Sequence, residues 1–329
     1  MVPSRLRRGS VVGLPTTVEG ADRARLEHRA RIYAVHDRLK TPHTFCLSSA
    51  AILLGLRTLD IPHKVQLVVG PGAATESADD VERHRFVLDP ADVTTAHHVP
   101  VTTPRRTVLD HARFTRPVAA LVVADHHLAR VSAPDRRDRA PGERRAGRER
   151  HELLLALGRL PRGARGRRRA LDILQWTMPW AESAWESVTR WIVLTWGRRD
   201  VVAQVEIRCH DRTCYPDLAI RIGTLDDGQP RWLVIEFDGH VKYVGTAEEI
   251  RAVRADQEAR EQALVAAGHA VTRLEAATAA HPIDVIARLS AAIRSAGGSE
   301  EFVPLEPVLG LMPPERATAK GRRTSARRR

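Results

Sequence analysis

Residues 232–239 read Trp-Leu-Val-Ile-Glu-Phe-Asp-Gly, and the C-terminal half of the chain is organised around them. The run predicts a strand, and its alternation puts Trp232, Val234, Glu236 and Asp238 on one face. Leu233, Ile235 and Phe237 fall on the other face, which is wholly apolar and belongs against a core. Two carboxylates on one half-buried face repel each other, and burial raises their pKa unless a cation is near. Hard oxygen donors of this kind suit Mg²⁺ or Mn²⁺, which keep several waters and bind through one or two carboxylates plus substrate phosphates. The alternative is a strand that simply ends in water at Glu236.

Outward from this strand the pattern is regular. Strand-like runs at 201–208 and 214–222 precede it, and Tyr215-Pro216-Asp217 brings a third acid to a strand end. Asp227-Gly228 marks the turn before the last strand. Upstream, Ser183-Ala-Trp-Glu186 is a capping-box signature, followed by Trp185, Val188, Ile192 and Trp196 at helical spacing. Downstream, Thr246-Ala-Glu-Glu249 caps a long helix that Gly268 ends. The apolar stripe of that helix is Ile250, Val253 and Leu264, with Gln257 in its middle and Arg260 and Glu261 on its edges. Polar chains on a core-facing stripe need partners, and a polar site at the sheet edge would supply them. A strand at 269–274 and a helix at 282–296 complete an α-β-β-β-α-β-α order.

The N-terminal part reads as a small α+β domain. Helices are expected over 20–40 and 46–56, and a half-buried strand over 63–69 with a partner at 84–88. Thr103-Pro104 opens a helix to about Ala112, and 117–129 is another.

The 329 residues carry 52 Lys+Arg against 40 Asp+Glu, a net +12, and this excess is concentrated. Residues 131–170 hold 13 Arg and 5 acids, and 313–329 hold 7 Lys+Arg and 1 acid, which leaves −2 for the rest. Such blocks attract phosphate backbones through ion pairing and counterion release; the plainer alternative is a solvated linker and a disordered tail. No apolar run approaches the roughly 20 residues of a membrane span, and the basic start lacks the apolar core of a secretory signal. Three cysteines build no disulfide scaffold, so a cytoplasmic protein is expected. Cys209 and Cys214 are expected as neighbours in a tight loop between strands rather than as zinc ligands. His126 and His127 point about 100° apart on a helix and cannot share a metal.

The stretch from Ser183 to about Leu289 resembles a bacterial domain grouped with very-short-patch-repair endonucleases, within the PD-(D/E)XK nuclease fold. The residues that carry the likeness are S-A-W-E-S-V-T-R from Ser183, P-D-L-A-I from Pro216, E-F-D-G-H-V-K-Y from Glu236, and A-R-E-Q-A-L-V-A-A-G-H-A-V-T-R from Ala259. The resemblance implies a restriction-endonuclease-like αβββαβ core in which Asp217 and Glu236 ligate Mg²⁺ or Mn²⁺. It makes Glu186 the helix acid completing the site, Asp238 a further ligand or orienting acid, and Lys242 the positive group at the scissile phosphate. Gln257 and Arg260 would support the site. The implied chemistry is metal-dependent hydrolysis of a DNA phosphodiester. The sequence departs from the pattern at Gln257, Glu258, Gln262 and Leu274, which spares the implied ligands.

The first domain is similar to an AbiEi-type antitoxin-associated region, through S-A-A-I-L-L-G-L at 49–56, V-P-V-T-T-P-R-R-T-V-L-D at 99–110 and A-L-V-V-A-D-H-H-L at 120–128. Such regions usually follow a winged helix-turn-helix and an R-R-G string; here Arg7-Arg8-Gly9 stands near the first residue, so that reader is expected to be missing. The expected organisation is therefore an α+β domain at 1–130, an Arg-rich linker with a short helix near 151–157 within 131–180, a nuclease-like domain at 181–296 and a basic tail at 297–329. The expected function is a metal-dependent DNA endonuclease. The alternative is a non-catalytic DNA-binding regulator of antitoxin type with a toxin partner.

Overall fold

The computed structural model describes residues 2–7, 10–14, 20–70, 79–85, 87–238 and 246–298. Lys242 and residues 299–329 of the expected tail lie outside them. The chain is a mixed α/β protein, and no helix among the described residues is long and apolar enough to cross a membrane.

The first half begins with an antiparallel hairpin, β1 (Val2–Arg7) and β2 (Ser10–Leu14). Helices α1 (Gly20–Arg38) and α2 (Leu47–Leu53) then accompany β3 (His43–Phe45), β4 (Val65–Val69), β5 (Val81–His84), β6 (Val93–Ala96) and β7 (Val99–Thr102). These five strands form one mixed sheet in the order β5-β4-β3-β7-β6. Ile32, Val35, Ala50 and Leu53 of the helices bury against Phe45, Leu67, Val81 and Val101 of the strands. The strand beside β4 is Val81–His84 rather than 84–88, and it runs parallel to β4. Next come α3 (Pro104–Phe114) and α4 (Pro117–Ser132); the Thr103 side chain accepts the Arg106 N–H, and Pro104 occupies the first turn of α3.

The segment expected as a linker is built differently. It holds two packed helices, α5 (Arg139–Gly158) and α6 (Arg167–Gln175). Leu153, Leu157, Ala170, Ile173 and Leu174 bury against Val108, Leu121 and Val123 of α3 and α4. Gly166 enters α6 with φ +75°, and a Cβ there would stand 2.2 Å from the Arg113 carbonyl, so only glycine lets α6 dock so closely.

The second half follows the expected order, with the first of its expected strands cut short. Helix α7 (Ala184–Thr195) leads into β8 (Val201–Ala203), a small hairpin of β9 (Ile207–Arg208) and β10 (Thr213–Cys214), then β11 (Leu218–Thr224) and β12 (Pro230–Asp238). Helix α8 (Ala247–Ala266) crosses to β13 (Ala270–Glu275), and α9 (Ala276–Ala279) and α10 (Pro282–Ser295) end the described chain. The sheet order is β13-β12-β11-β8; β11 is antiparallel to both neighbours and β13 is parallel to β12, which requires the α8 crossover. The run 201–208 is not one strand, because Gln204 takes left-handed backbone at φ +50° and breaks it.

The two faces of β12 divide as the alternation requires. Leu233 and Ile235 pack with Val188 and Ile192 of α7 and Leu289 and Ile293 of α10. Val234 lies on the opposite face with Leu264 of α8, Ile207 and Cys214. The stripe expected on α8 is only partly used: Leu264 is buried, but Val253 is 53 % exposed, since the first half of α8 is exposed.

The halves share buried contacts. Val122 of α4 joins the core under α7. Asp125 of α4, fully buried, accepts from Arg190 Nη2 at 2.9 Å and from Ser187 Oγ at 2.8 Å on α7. The Met178 N–H donates to its other oxygen at 2.8 Å.

Candidate active site

The end of β12 nearest Asp238 gathers the acids. Glu186 sits in the first turn of α7, where the Ser183 hydroxyl accepts its N–H at 3.2 Å. Its carboxylate folds back to accept the Glu182 N–H at 2.7 Å, and the residue is only 3 % exposed. Burial, reinforced by the negative charge of Asp217, pushes the Glu186 carboxyl up to about 7.

Asp217 immediately precedes β11. Leu218 pairs with Ile235, so the next rung of the ladder brings Asp217 beside Glu236. Its Oδ2 accepts the Phe237 N–H at 2.9 Å. Burial raises the Asp217 pKa and Glu182 adds to the rise, against the lowering effects of that N–H, Arg260 and Arg136.

Glu236 lies on the α8 face of β12 and is 9 % exposed. Its Oε2 accepts from Arg260 Nη2 at 3.1 Å. Gln257, Arg260, Glu261 and Arg273 close over Glu236 around a space of only about 10 Å³. Glu261 is itself held by Arg273 at 2.6 Å. Asp238 is the last residue of β12, in register with Glu275. The Asp238 side chain and Lys242 lie outside the described residues.

The expected crowding of acids is therefore displaced. Arg260 neutralises Glu236, whereas Glu182, Glu186 and Asp217 act on one another as like charges at the strand end. Among the described residues no three His, Cys, Asp or Glu side chains stand close enough together to enclose a metal ion. Glu186 and Asp217 still offer hard oxygens at a place where burial and mutual repulsion leave negative charge unrelieved. That donor set fits a small divalent cation that keeps most of its own waters.

Four residues near these acids escape the strand and helix patterns. Glu182 lies in a connecting segment, where no periodicity flags it, and Gln204 falls inside the run read as one strand, which masks the break at it. Arg57, far upstream, donates to the carbonyls of Ala181 and Glu182 at 3.2 and 2.5 Å, tying the first half to the loop before α7. Arg136 is exposed, stands over the Tyr215 ring at 5.4 Å and acts on Asp217.

The thirteen arginines of 131–170 separate into two groups. Arg139, Arg145, Arg150, Arg167 and Arg169 are half-buried, and each donates to a backbone carbonyl. The other eight, Arg136 and Arg137 among them, are exposed. Cys209 and Cys214 flank the β9–β10 turn with their Sγ atoms 4.0 Å apart. His126 accepts the Arg57 N–H, and His127 meets Glu149 at 2.7 Å, so the adjacent imidazoles serve different partners.

No family model matches the chain, and neither the curated proteins nor the solved structures yield a match.

Proposed function

We propose that the second half of the chain is a divalent-metal-dependent DNA endonuclease of restriction-endonuclease-like architecture, similar to the very-short-patch-repair group. The observation that carries this reading is the buried Glu186, raised by the charge of the half-buried Asp217, at the end of a four-stranded sheet where Asp217 falls beside Glu236. Burying like charges together is costly, and perturbed acids of this kind cluster at reactive sites. Glu186 and Asp217 would hold Mg²⁺ or Mn²⁺, which when bound supplies positive charge for the phosphodiester and its departing oxygen.

The chain's own residues do the remaining work. The Phe237 N–H fixes the Asp217 carboxylate in one orientation, and the Ser183 cap fixes the turn that carries Glu186. Arg260 donates to Glu236 Oε2 and orients that carboxylate in its half-closed setting. Without a cation Glu186, raised to about 7, holds a proton for much of the time near neutral pH, and a bound cation would displace that proton. The eight exposed arginines of 131–170 would contact phosphates along the backbone and position the strand without reading its sequence.

One observation favours a second reading. Arg260 already satisfies Glu236 within the chain, as a DNA-binding regulator of antitoxin type would require if the acids no longer served catalysis. Such a protein would bind DNA, and a toxin partner, without cutting. Incubation of the purified protein with supercoiled, linear and mismatched DNA separates the two. Cleavage in Mn²⁺ and none in EDTA supports the nuclease; binding without cleavage under every condition supports the regulator.

A further inference from the structure

Four basic side chains of the first half gather beside the loop that leads into α7. Helix α4 presents His126 and Arg130 one turn apart on one face. Both hold the turn after α2: His126 Nδ1 accepts the Arg57 N–H at 3.0 Å, and Arg130 Nη1 donates to the Leu54 carbonyl at 2.6 Å. The Arg57 side chain runs on to the carbonyls of Ala181 and Glu182. Arg25 of α1 completes the group, because its charge acts on both Arg57 and His126.

The positive charge of this cluster is not relieved at Arg25. Its Nε is buried without a hydrogen-bond partner, and no carboxylate pairs with the residue among the described residues. Arg25 as a whole is half-buried and Arg130 is exposed, so both guanidiniums keep N–H groups that reach solvent. Burial lowers the Arg57 pKa; Glu186 and Asp125 oppose the fall and Arg25 deepens it. Burial, and then the charges of Arg57, Arg130 and Arg25, hold His126 down to about 4, so its ring is neutral near pH 7. With Nδ1 accepting, the neutral ring carries its proton on Nε2 and is a donor there. Every member of the cluster therefore donates, and three are cations kept together against their own repulsion. Such a set complements a compact, multiply charged oxyanion.

One loop separates the cluster from the acids. Glu182, whose carbonyl holds Arg57, donates its own N–H to the Glu186 carboxylate at 2.7 Å.

We propose that Arg25, Arg130 and His126, with Arg57 as a fixed neighbouring cation, bind a phosphate group. The proposal rests on the nuclease reading for its preferred ligand and deepens it. A DNA strand held here by one backbone phosphate would run past Glu182 toward Glu186 and Asp217, so the first half would position what the second half cuts. A free phosphate monoester offers the same chemistry, and the test separates the two sources.

The test compares the wild type with Arg25→Gln, which removes one charge and no hydrogen bond seen among the described residues. Three quantities are read in EDTA: the melting temperature alone, the melting temperature with inorganic phosphate, and the salt dependence of duplex DNA binding by fluorescence anisotropy. Without ligand, Arg25→Gln should melt at or above the wild-type temperature, since a like charge beside Arg57 is gone; a merely structural arginine predicts a fall. Phosphate should raise the wild-type melting temperature and do much less for the variant. DNA affinity should drop about tenfold in Arg25→Gln, and the slope of log K against log salt should flatten by about one unit. Arg130→Gln should lose the same phosphate and DNA responses, and it decides the matter if Arg25→Gln does not fold. A flattened slope assigns the site to the strand; a phosphate-dependent shift with an unchanged slope assigns it to a free monoester. Equal phosphate shifts in all three proteins together with unchanged slopes overturn the site. Plasmid nicking by the wild type in Mn²⁺, followed separately, decides the nuclease reading and leaves this outcome untouched.

Discussion

Arg260 on α8 reaches across to β12 and places Nη2 3.1 Å from Oε2 of Glu236, a carboxylate that is 9 % exposed. This pair joins the Glu261–Arg273 ion pair and the packing of Leu264 on Val234 in fastening α8 to the sheet. Arg260→Ala leaves a largely buried charge uncompensated and is expected to cost about 1–2 kcal/mol, below the full buried-pair value because Arg260 itself is one-third exposed. Urea denaturation at neutral pH reads the loss, and Arg260→Ala/Glu236→Gln should recover most of it. A single variant as stable as wild type would mean the pair contributes nothing.

Glu186 gives the fold a pH dependence of defined sign. Its folded pKa of about 7 lies above the ordinary value of 4.5, so the native state binds the proton more tightly than the unfolded chain. The stabilisation is fully present below about pH 4.5 and is lost as pH rises to about 7. Glu186→Gln keeps an oxygen for the Glu182 N–H and carries no charge. It should therefore be more stable than wild type at pH 8, by on the order of 2–3 kcal/mol, and nearly equal at pH 4. Melting temperatures across this range check it; a constant difference between the two proteins would sink the assignment.

The link between the halves is open to a direct test. Arg190→Ala strands the fully buried Asp125 carboxylate and should cost about 3–5 kcal/mol. Adding Asp125→Asn should restore part of that loss, since the buried charge is removed. Chemical denaturation of the three variants reads the coupling, and additive losses would show that the two residues do not interact.

Much of the second half is legible from its residues. The alternation of 232–238 alone separates Leu233 and Ile235, which meet α7 and α10, from Val234 and Glu236, which meet α8. Thr246 and Glu249 announce α8 by a capping box that forms in full. Gln257 and Arg260, polar on an otherwise apolar helix face, signal a polar site beneath them. The Arg-rich segment hides its helices for a physical reason. Its buried face is carried by a sparse set of small and aliphatic residues, Ala146, Leu153 and Leu157, interleaved with Gly142 and charged side chains. Five of its arginines are consumed by backbone carbonyls, a use that composition does not distinguish from a solvated charge. Glu182 is reached only through three-dimensional contacts, because loop conformation leaves no period to read, and the break at Gln204 is hidden by the strand-like residues around it. Arg190 and Asp125 are different: each is a charge within an apolar helix, and that anomaly points to a buried pair without naming the partners.

The division of the arginines predicts two distinct phenotypes. Replacing exposed Arg159, Arg162 and Arg168 with Ser should weaken DNA binding for all sequences and flatten the slope of log K against log salt by about one unit per lost phosphate contact. Replacing Arg145 or Arg150, which donate to the carbonyls of Ser132 and Thr177 at 2.6 Å each, should lower the melting temperature and leave the slope unchanged. A salt slope that responds to the second pair and not to the first set would reverse the assignment.

Buried Glu186 and half-buried Asp217 are proposed as a cation-dependent site for phosphodiester cleavage. Its most direct test is the rate at which supercoiled plasmid is nicked in Mn²⁺ by the wild type and by Asp217→Asn, which keeps an oxygen for the Phe237 N–H and so preserves the local fold. Cleavage by the wild type that vanishes in EDTA and falls at least about a hundredfold in Asp217→Asn, with unchanged circular dichroism, is the predicted result. Cleavage by Asp217→Asn at the wild-type rate would contradict it.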